Sequence, residues 1–281
     1  MIYYYHEDAI HVSRIDLLVQ NRDRSKDFYI NSLGFSVLKE NEYYTSLTVN
    51  HKDELIRLYN DEKTTKTTNK NMNIYHFAIL LPDRKSLGKF LRHLIKNQIP
   101  IDGAADHMVS EAIYLQDPNG FGIEVSCDKD DSEWINTKNQ IKMDNLPFDY
   151  KGVYYATNDY DNFTKLPADT QIGHLHLQVD NLIESKNFYN NIIGFDIVNE
   201  SIKDAVFMSD KNYHHHLAIN TWCSHSLVDN KMKSFTITYP NCEKYLKALE
   251  SIKAAKIDYQ ETNEGIHIKD PANTEIYLNI K

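Results

Sequence analysis

This sequence contains itself twice. Ser13-Arg14-Ile15-Asp16-Leu17-Leu18-Val19 returns as Gly173-His174-Leu175-His176-Leu177-Gln178-Val179. Ser25-Lys26, Phe28-Tyr29 and Gly34-Phe35 return as Ser185-Lys186, Phe188-Tyr189 and Gly194-Phe195, and about twenty-five positions match without a gap at a constant offset of 160. A repeat of this kind marks one supersecondary unit that cannot bury its apolar face alone and must pack against copies of itself. A finer repeat lies inside each half. Ile74-Tyr75-His76-Phe77-Ala78-Ile79-Leu80-Leu81-Pro82 resembles Lys233-Ser234-Phe235-Thr236-Ile237-Thr238-Tyr239-Pro240, and Asp117-Pro118 returns as Asp270-Pro271.

The unit is best read between Asn73 and Val125. Its ends, Ile74 to Leu81 and Ser110 to Val125, are rich in β-branched and aromatic residues and bounded by turn formers, the mark of strands. Between them, Leu87, Phe90, Leu91, Leu94 and Ile95 share one face at helical spacing over Lys85 to Asn97. Gly34 and Gly194 sit where a helix C-cap precedes a second strand. The expected class is α+β, with four βαβββ modules beginning near Ser13, Asn73, Ile172 and Lys233. Residues 128–169 differ in character, opening on the charge run Asp128-Lys129-Asp130-Asp131. That stretch is too long for a bare loop, so part of it should be ordered against the surface, with Trp134, Tyr150, Tyr154 and Tyr155 as its anchors.

Composition narrows the function classes. A net charge of -9 leaves no basic surplus to neutralise phosphates and argues against nucleic-acid binding. No apolar run reaches membrane-spanning length and the start lacks a signal-peptide pattern, so a cytoplasmic location without membrane attachment is expected. Cys127, Cys223 and Cys242 are scattered, with no C-x-x-C pair, and indicate neither a disulfide frame nor a zinc knuckle. Oligomeric state, including a homo-oligomer, stays open. Histidine is the informative residue. His76 and His174 lie inside apolar strands and Glu124 lies near the end of one. A charge-capable side chain there must be hydrogen-bonded, paired or metal-bound.

These strings carry a family resemblance. Tyr75-His76-Phe77-Ala78-Ile79-Leu80-Leu81-Pro82-Asp83-Arg84, Asp106-His107-Met108-Val109-Ser110-Glu111-Ala112-Ile113-Tyr114-Leu115, Gly173-His174-Leu175-His176 and Tyr213-His214-His215-His216 resemble the vicinal oxygen chelate superfamily. That superfamily contains glyoxalases, antibiotic resistance proteins and extradiol dioxygenases, and the wording is closest to two-domain bacterial catechol 2,3-dioxygenases. The resemblance implies that the four modules pair into two glyoxalase-like curved-sheet domains, 9–127 and 170–281, joined by the linker 128–169. It also implies a metal-dependent extradiol dioxygenase that opens a catechol beside its diol with O2. The metal would be Fe(II), with Mn(II) as the variant, on two His and one carboxylate; that donor set suits a divalent first-row ion with open positions.

Carried over position by position, the family's first-strand ligand position holds Arg14, His76, His174 and Ser234. The last-strand acidic position holds Glu124 in the second module and Tyr277 in the fourth, with Glu275 two residues earlier. One complete set results: His76, His174 and Glu124. It requires modules two and three to pair, and leaves Arg14 and Ser234 structural. His176 competes with His174 because it points the same way two residues on, and Glu111 is a rival carboxylate. The resemblance places the acid–base role on His215, with His214 and His216 on the opposite strand face. It gives Tyr114 the substrate oxygen and His107 a second pocket role, although His107 lies closer to Tyr114 than the family spacing. Asp106 could orient His107. A glyoxalase-type lyase or isomerase and a non-catalytic binding protein share the frame; the lyase would want more carboxylate ligands.

Overall fold

The structure is a computed structural model, and it describes residues 8–60, 74–137, 140–158, 162–222 and 232–281. Asn73, where the second module is expected to open, and Cys223 lie outside these. Each module runs first strand, helix, then further strands, and its first and last strands pair in parallel. This is the α+β arrangement of curved sheets expected from the sequence.

Two sheets result. In one, eight strands run in the order 260–262, 265–269, 275–280, 232–239, 11–19, 56–60, 44–48 and 36–40. In the other, nine strands run 146–147, 103–106, 110–116, 122–128, 76–81, 171–178, 217–220, 205–209 and 196–199. Each sheet therefore takes one module from each half. Module one pairs with module four through His11–Val19 against Met232–Tyr239. Module two pairs with module three through His76–Leu81 against Gln171–Gln178, antiparallel in both cases. The duplicated halves are lengths of sequence, and the sheets cut across them.

The two sheets are tied together by a repeated contact. After each first helix the chain makes a π-helical turn, Phe28–Leu33 and Phe188–Ile193, closed by Gly34 and Gly194 at φ 91° and 100°. Only glycine takes that left-handed conformation without cost. The turn drives a fully buried tyrosine onward. Tyr29 donates to Asp117 Oδ2 at 3.4 Å and Tyr189 to Asp270 Oδ2 at 2.7 Å. The recurrence of Phe-Tyr and of Asp-Pro in the sequence is one interaction, module one to two and module three to four. Burial raises both carboxyls above their ordinary value, against the pull of neighbouring amides and the tyrosine.

The expected helix runs Arg84–Lys96, capped by Asp83, whose side chain accepts from the Ser86 amide at 2.7 Å. Leu87, Phe90, Leu91 and Leu94 are buried, each worth ~1.5–3 kcal/mol of transfer free energy. Ile95 is 56% exposed. It stands in the helix's last turn, where the expected buried face ends at Leu94. The described part of 128–169 contains a 3-10 turn at Asp131–Glu133, short strands and the helix Tyr150–Tyr155, the partial order expected. A Cβ at Gly88 would strike the Val153 carbonyl, so glycine lets the two helices touch. Arg92 lies over the Tyr154 ring at 4.0 Å and Trp134 packs on Tyr213 and His214. Tyr150 and Tyr155, expected as anchors, are exposed instead. Tyr155 stands on the side of the six-residue helix away from buried Val153, and Tyr150, at its first position, lays its ring against Phe148.

Candidate metal centre

Three strands meet at one point of the nine-stranded sheet. Ala78 is paired with Glu124 on one side and with His174 on the other, while His76 stands two residues back on the same face. Two glycines make the approach possible. Gly122 would, with a Cβ, lie 2.6 Å from the Tyr75 carbonyl, so its absence lets the Glu124 strand run close to His76. Gly173 is the extra residue of a bulge: Ile172 pairs with Ile79 and His174 with the very next residue, Ala78. A bulge of this kind re-aims the side chains that follow it, and here it turns His174 toward the carboxylate. Ala78 contributes only a methyl group beneath.

His76 Nε2 lies 3.0 Å from His174 Nε2 and 3.3 Å from Glu124 Oε2, and His174 Nε2 lies 3.5 Å from that same oxygen. His174 and Glu124 are buried and His76 nearly so. Two donors at right angles, each ~2.1 Å from an ion, stand ~3 Å apart. The triangle therefore has the dimensions of one face of a coordination shell, and its donor set is the two-imidazole, one-carboxylate kind. The residues fit a divalent first-row ion. The two facing imidazole nitrogens are within hydrogen-bond distance and, as neutral rings, can share one hydrogen. Burial, with a further push from His174 and His107, carries His76 down to about 3 against the attraction of Glu124. Burial alone would raise Glu124, but His174 and His76 outweigh it and hold the carboxyl well below its usual value. Both groups are thus in the form that binds a cation at neutral pH.

Around the triangle the other sequence candidates divide. Tyr114 donates to Glu124 Oε2 at 2.9 Å, and burial followed by that carboxylate drives its hydroxyl far above its ordinary value. His107 Nε2 meets the same hydroxyl, and its Nδ1 donates to the Asp144 carbonyl at 3.2 Å. Asp106 does not orient His107. Its carboxylate is held by Lys129 at 2.6 Å and by the Met108 amide at 2.8 Å, and a linker carbonyl supplies the orienting contact. Glu111 is no rival ligand: it pairs with Arg84, whose Nη2 lies 2.9 Å from Glu111 Oε1. His176 is buried beside His76 with 5.1 Å between ring centroids, but its Nε2 accepts from Asn220 Nδ2 at 2.8 Å and turns away from the triangle. Burial first, and then His76 and His174, hold it well below the ordinary histidine value.

His215 packs its ring on His174 with centroids 4.0 Å apart, and burial, assisted by His174 and His214, keeps it well below its ordinary value. The alternation argument for His214 and His216 fails because the strand begins only at Leu217. Residues 213–216 are irregular, and His214 reaches His215 directly, Nδ1 to Nδ1 at 2.8 Å. His214 Nε2 in turn lies 2.9 Å from Asp128 Oδ1. His216 stays outside this chain: its ring lies against Tyr213 and its Nδ1 accepts from the Asp210 amide. Asp128, His214 and Asn220 went unassigned from sequence. The signal for Asp128 was present, since Glu124, Ser126 and Asp128 alternate along one strand and share a face. Tyr75 and Trp222 were also missed. Both are exposed, with ring centroids 5.1 and 5.4 Å from that of His176.

The equivalent place in the eight-stranded sheet is filled differently. Thr236 pairs with Arg14 and with Tyr277, as Ala78 pairs with His174 and Glu124. Arg14 is bound by Asp16 at 2.9 Å and Glu264 at 2.6 Å, and Ser234 donates to Asp16 at 2.7 Å.

Comparison with known proteins agrees with this architecture. The sequence profile of the Glyoxalase/Bleomycin resistance protein/Dioxygenase superfamily matches residues 11–125 and again 171–275. A Bacillus subtilis (strain 168) protein named catechol-2,3-dioxygenase is 37% identical over 276 residues, covering 95% of this chain and 96% of its own. Among solved structures, glyoxalase I from Zea mays superposes with a TM-score of 0.56 at 14% identity, over 96% of this chain and 92% of that one. The cppA protein from Streptococcus pneumoniae TIGR4 superposes at 0.57 and 14% identity, over 97% and 100%. At those identities the two structures share the fold alone. With its two profile matches and a relative of this identity along nearly its whole length, the chain belongs to the Glyoxalase/Bleomycin resistance protein/Dioxygenase superfamily.

Proposed function

We propose that this protein is an extradiol-type dioxygenase that opens the ring of a catechol beside its diol. His76, His174 and Glu124 would hold one Fe(II), or Mn(II), per chain. The observation that carries this reading is the triangle of two imidazole nitrogens and one carboxylate oxygen, buried and set 3.0–3.5 Å apart. The catechol-2,3-dioxygenase name of the 37% identical relative supports the choice of substrate class. When bound, the metal supplies the electron pathway between an electron-rich diol and O2, which no side chain of the chain can provide.

The chain's own residues do the rest. His215, packed on His174, takes a diol proton at its Nε2 and returns it when the ring opens; general acid–base action of this kind contributes about 10²–10⁴ in rate. Tyr114, paired with His107, donates to Glu124 and positions that carboxylate, and its one hydrogen is the donor that a substrate oxygen would take over from Glu124. Tyr75 and Trp222 present ring edges and faces beside the site, which suits a planar aromatic substrate.

The test is anaerobic loading with Fe(II), metal analysis, then addition of catechol and O2. The expected result is one iron per chain, oxygen consumed and a yellow ring-opened product. Metal bound without oxygen consumption would favour a lyase or isomerase of the same fold, and no metal bound would favour a binding protein.

A further inference from the structure

We propose that Asp128 and His214 are positioning residues that fix the ring orientation and tautomer of His215, so that its Nε2 presents a lone pair to the substrate. This rests on the catechol-cleaving reading above.

The argument is one of hydrogen-bond directions. Asp128 closes the strand that carries Glu124, and a carboxylate can only accept. His214 Nε2, 2.9 Å from Asp128 Oδ1, must therefore carry the hydrogen. A neutral imidazole then has a bare Nδ1. That nitrogen lies 2.8 Å from His215 Nδ1, so His215 must be the donor in this pair. With its hydrogen on Nδ1, a neutral His215 is left with an unprotonated Nε2. Among the described residues no side chain donates to that nitrogen. The direction of every bond in the chain is set by the one group that cannot donate, Asp128.

The surroundings hold the chain in place. His214 is 2% exposed, its ring lies against Tyr213 at 4.0 Å and against Trp134 at 5.2 Å. Tyr213 donates to the second oxygen of Asp128 at 2.9 Å, so each carboxylate oxygen has its own partner. His215 is wedged between the His174 and Phe207 rings, with centroids at 4.0 and 5.1 Å. Trp134 belongs to the segment that joins the two halves, so that segment takes part in the site. The logic is that of a carboxylate which orients a catalytic imidazole without touching substrate.

Asp128→Asn tests it, because an amide nitrogen facing His214 reverses every bond in the chain. In the iron-loaded protein, kcat for catechol should fall about 10–100-fold while KM and bound iron stay within about twofold. Tyr213→Phe, which removes the other partner of Asp128, should change kcat less than about threefold. In the metal-free protein, NMR of the ring nitrogens should place the His215 hydrogen on Nδ1 in the wild type and on Nε2 in Asp128→Asn. His214→Phe keeps the ring packing, removes both nitrogens and should lose kcat to the same extent, which covers a failure of Asp128→Asn to fold. If wild type cleaves catechol and either variant keeps its kcat, or loses iron or KM in proportion, the positioning role is wrong. If wild type with iron bound consumes no oxygen with catechol, the catalytic reading itself is wrong and this proposal falls with it.

Discussion

The buried histidines of the candidate centre make a sharp demand on stability in the absence of metal. His76 is carried from an ordinary value of 6.5 down to about 3. Its folded value is depressed, so the unfolded chain binds the proton more readily. The sign follows: stability is fully present above pH 6.5 and is lost as pH falls toward 3. At about 1.4 kcal/mol per unit, the whole effect is ~5 kcal/mol, and about 2 kcal/mol of it is gone by pH 5. His11, His176 and His215 are shifted the same way and add to the total, so the wild-type slope alone does not isolate His76. A difference between two proteins does. Urea unfolding of the metal-free wild type and of His76→Gln, each near pH 7.5 and near pH 5, gives four free energies. The wild type should lose about 2 kcal/mol more than the variant on acidification. Glu124 does not confuse the comparison, because its own contribution is lost only below its ordinary value of 4.5. Equal losses in the two proteins would mean that His76 is not held neutral by its surroundings.

Four further outcomes are expected. His174→Ala should abolish stoichiometric metal binding and the thermal shift that loading produces, ~3 kcal/mol of stabilisation at a hundredfold excess over Kd. Ser234→Ala, at the corresponding place in the other sheet, should leave the stoichiometry unchanged, as read by metal analysis after gel filtration. Tyr114→Phe removes the donor to Glu124 and should lower metal affinity or turnover about 10–100-fold with no change of fold. Tyr189→Phe should cost about 1.5–3 kcal/mol in urea unfolding by removing a buried bond to Asp270, and Tyr29→Phe should cost less because its bond to Asp117 is longer.

Much of the frame was legible because the repeat is local in sequence. Helix Arg84–Lys96, the glycine caps and the strand positions of His76, His174 and Glu124 follow from periodicity and from the offset between copies. What the sequence did not carry was anything that depends on where the chain returns after a long excursion. Asp128 looks like the head of a charge run, yet it is the last residue of the Glu124 strand and the anchor of His214. His214 and His216 were assigned faces by alternation, which applies only inside a strand, and these residues lie before one. The orienting partner of His107 is a main-chain carbonyl at Asp144, and a backbone group leaves no mark in residue type.

The two sheets also separate what the fold supplies from what the ligands supply. The first strands of the two halves, at Ser13-Arg14 and Gly173-His174, carry the same register irregularity, Val12 to Arg14 and Ile172 to His174. The first of these carries no imidazole and faces no carboxylate on the last strand, since Tyr277 stands where Glu124 would be. A bulge held in place by a metal would have no reason to persist there. It is therefore a property of the scaffold, a means of turning one side chain of the central strand toward the partner module. In one sheet that turn delivers His174 to an open triangle of donors. In the other it delivers Arg14 to Asp16 and Glu264, with Arg57 bridging to the same Glu264 at 2.7 Å. Buried charges must be matched where they stand, and these carboxylates are matched by guanidinium groups in place of a cation from solution. The duplicated fold thus offers the position twice, and the identity of two or three residues decides whether a triangle of imidazole and carboxylate donors or an arginine ion pair occupies it.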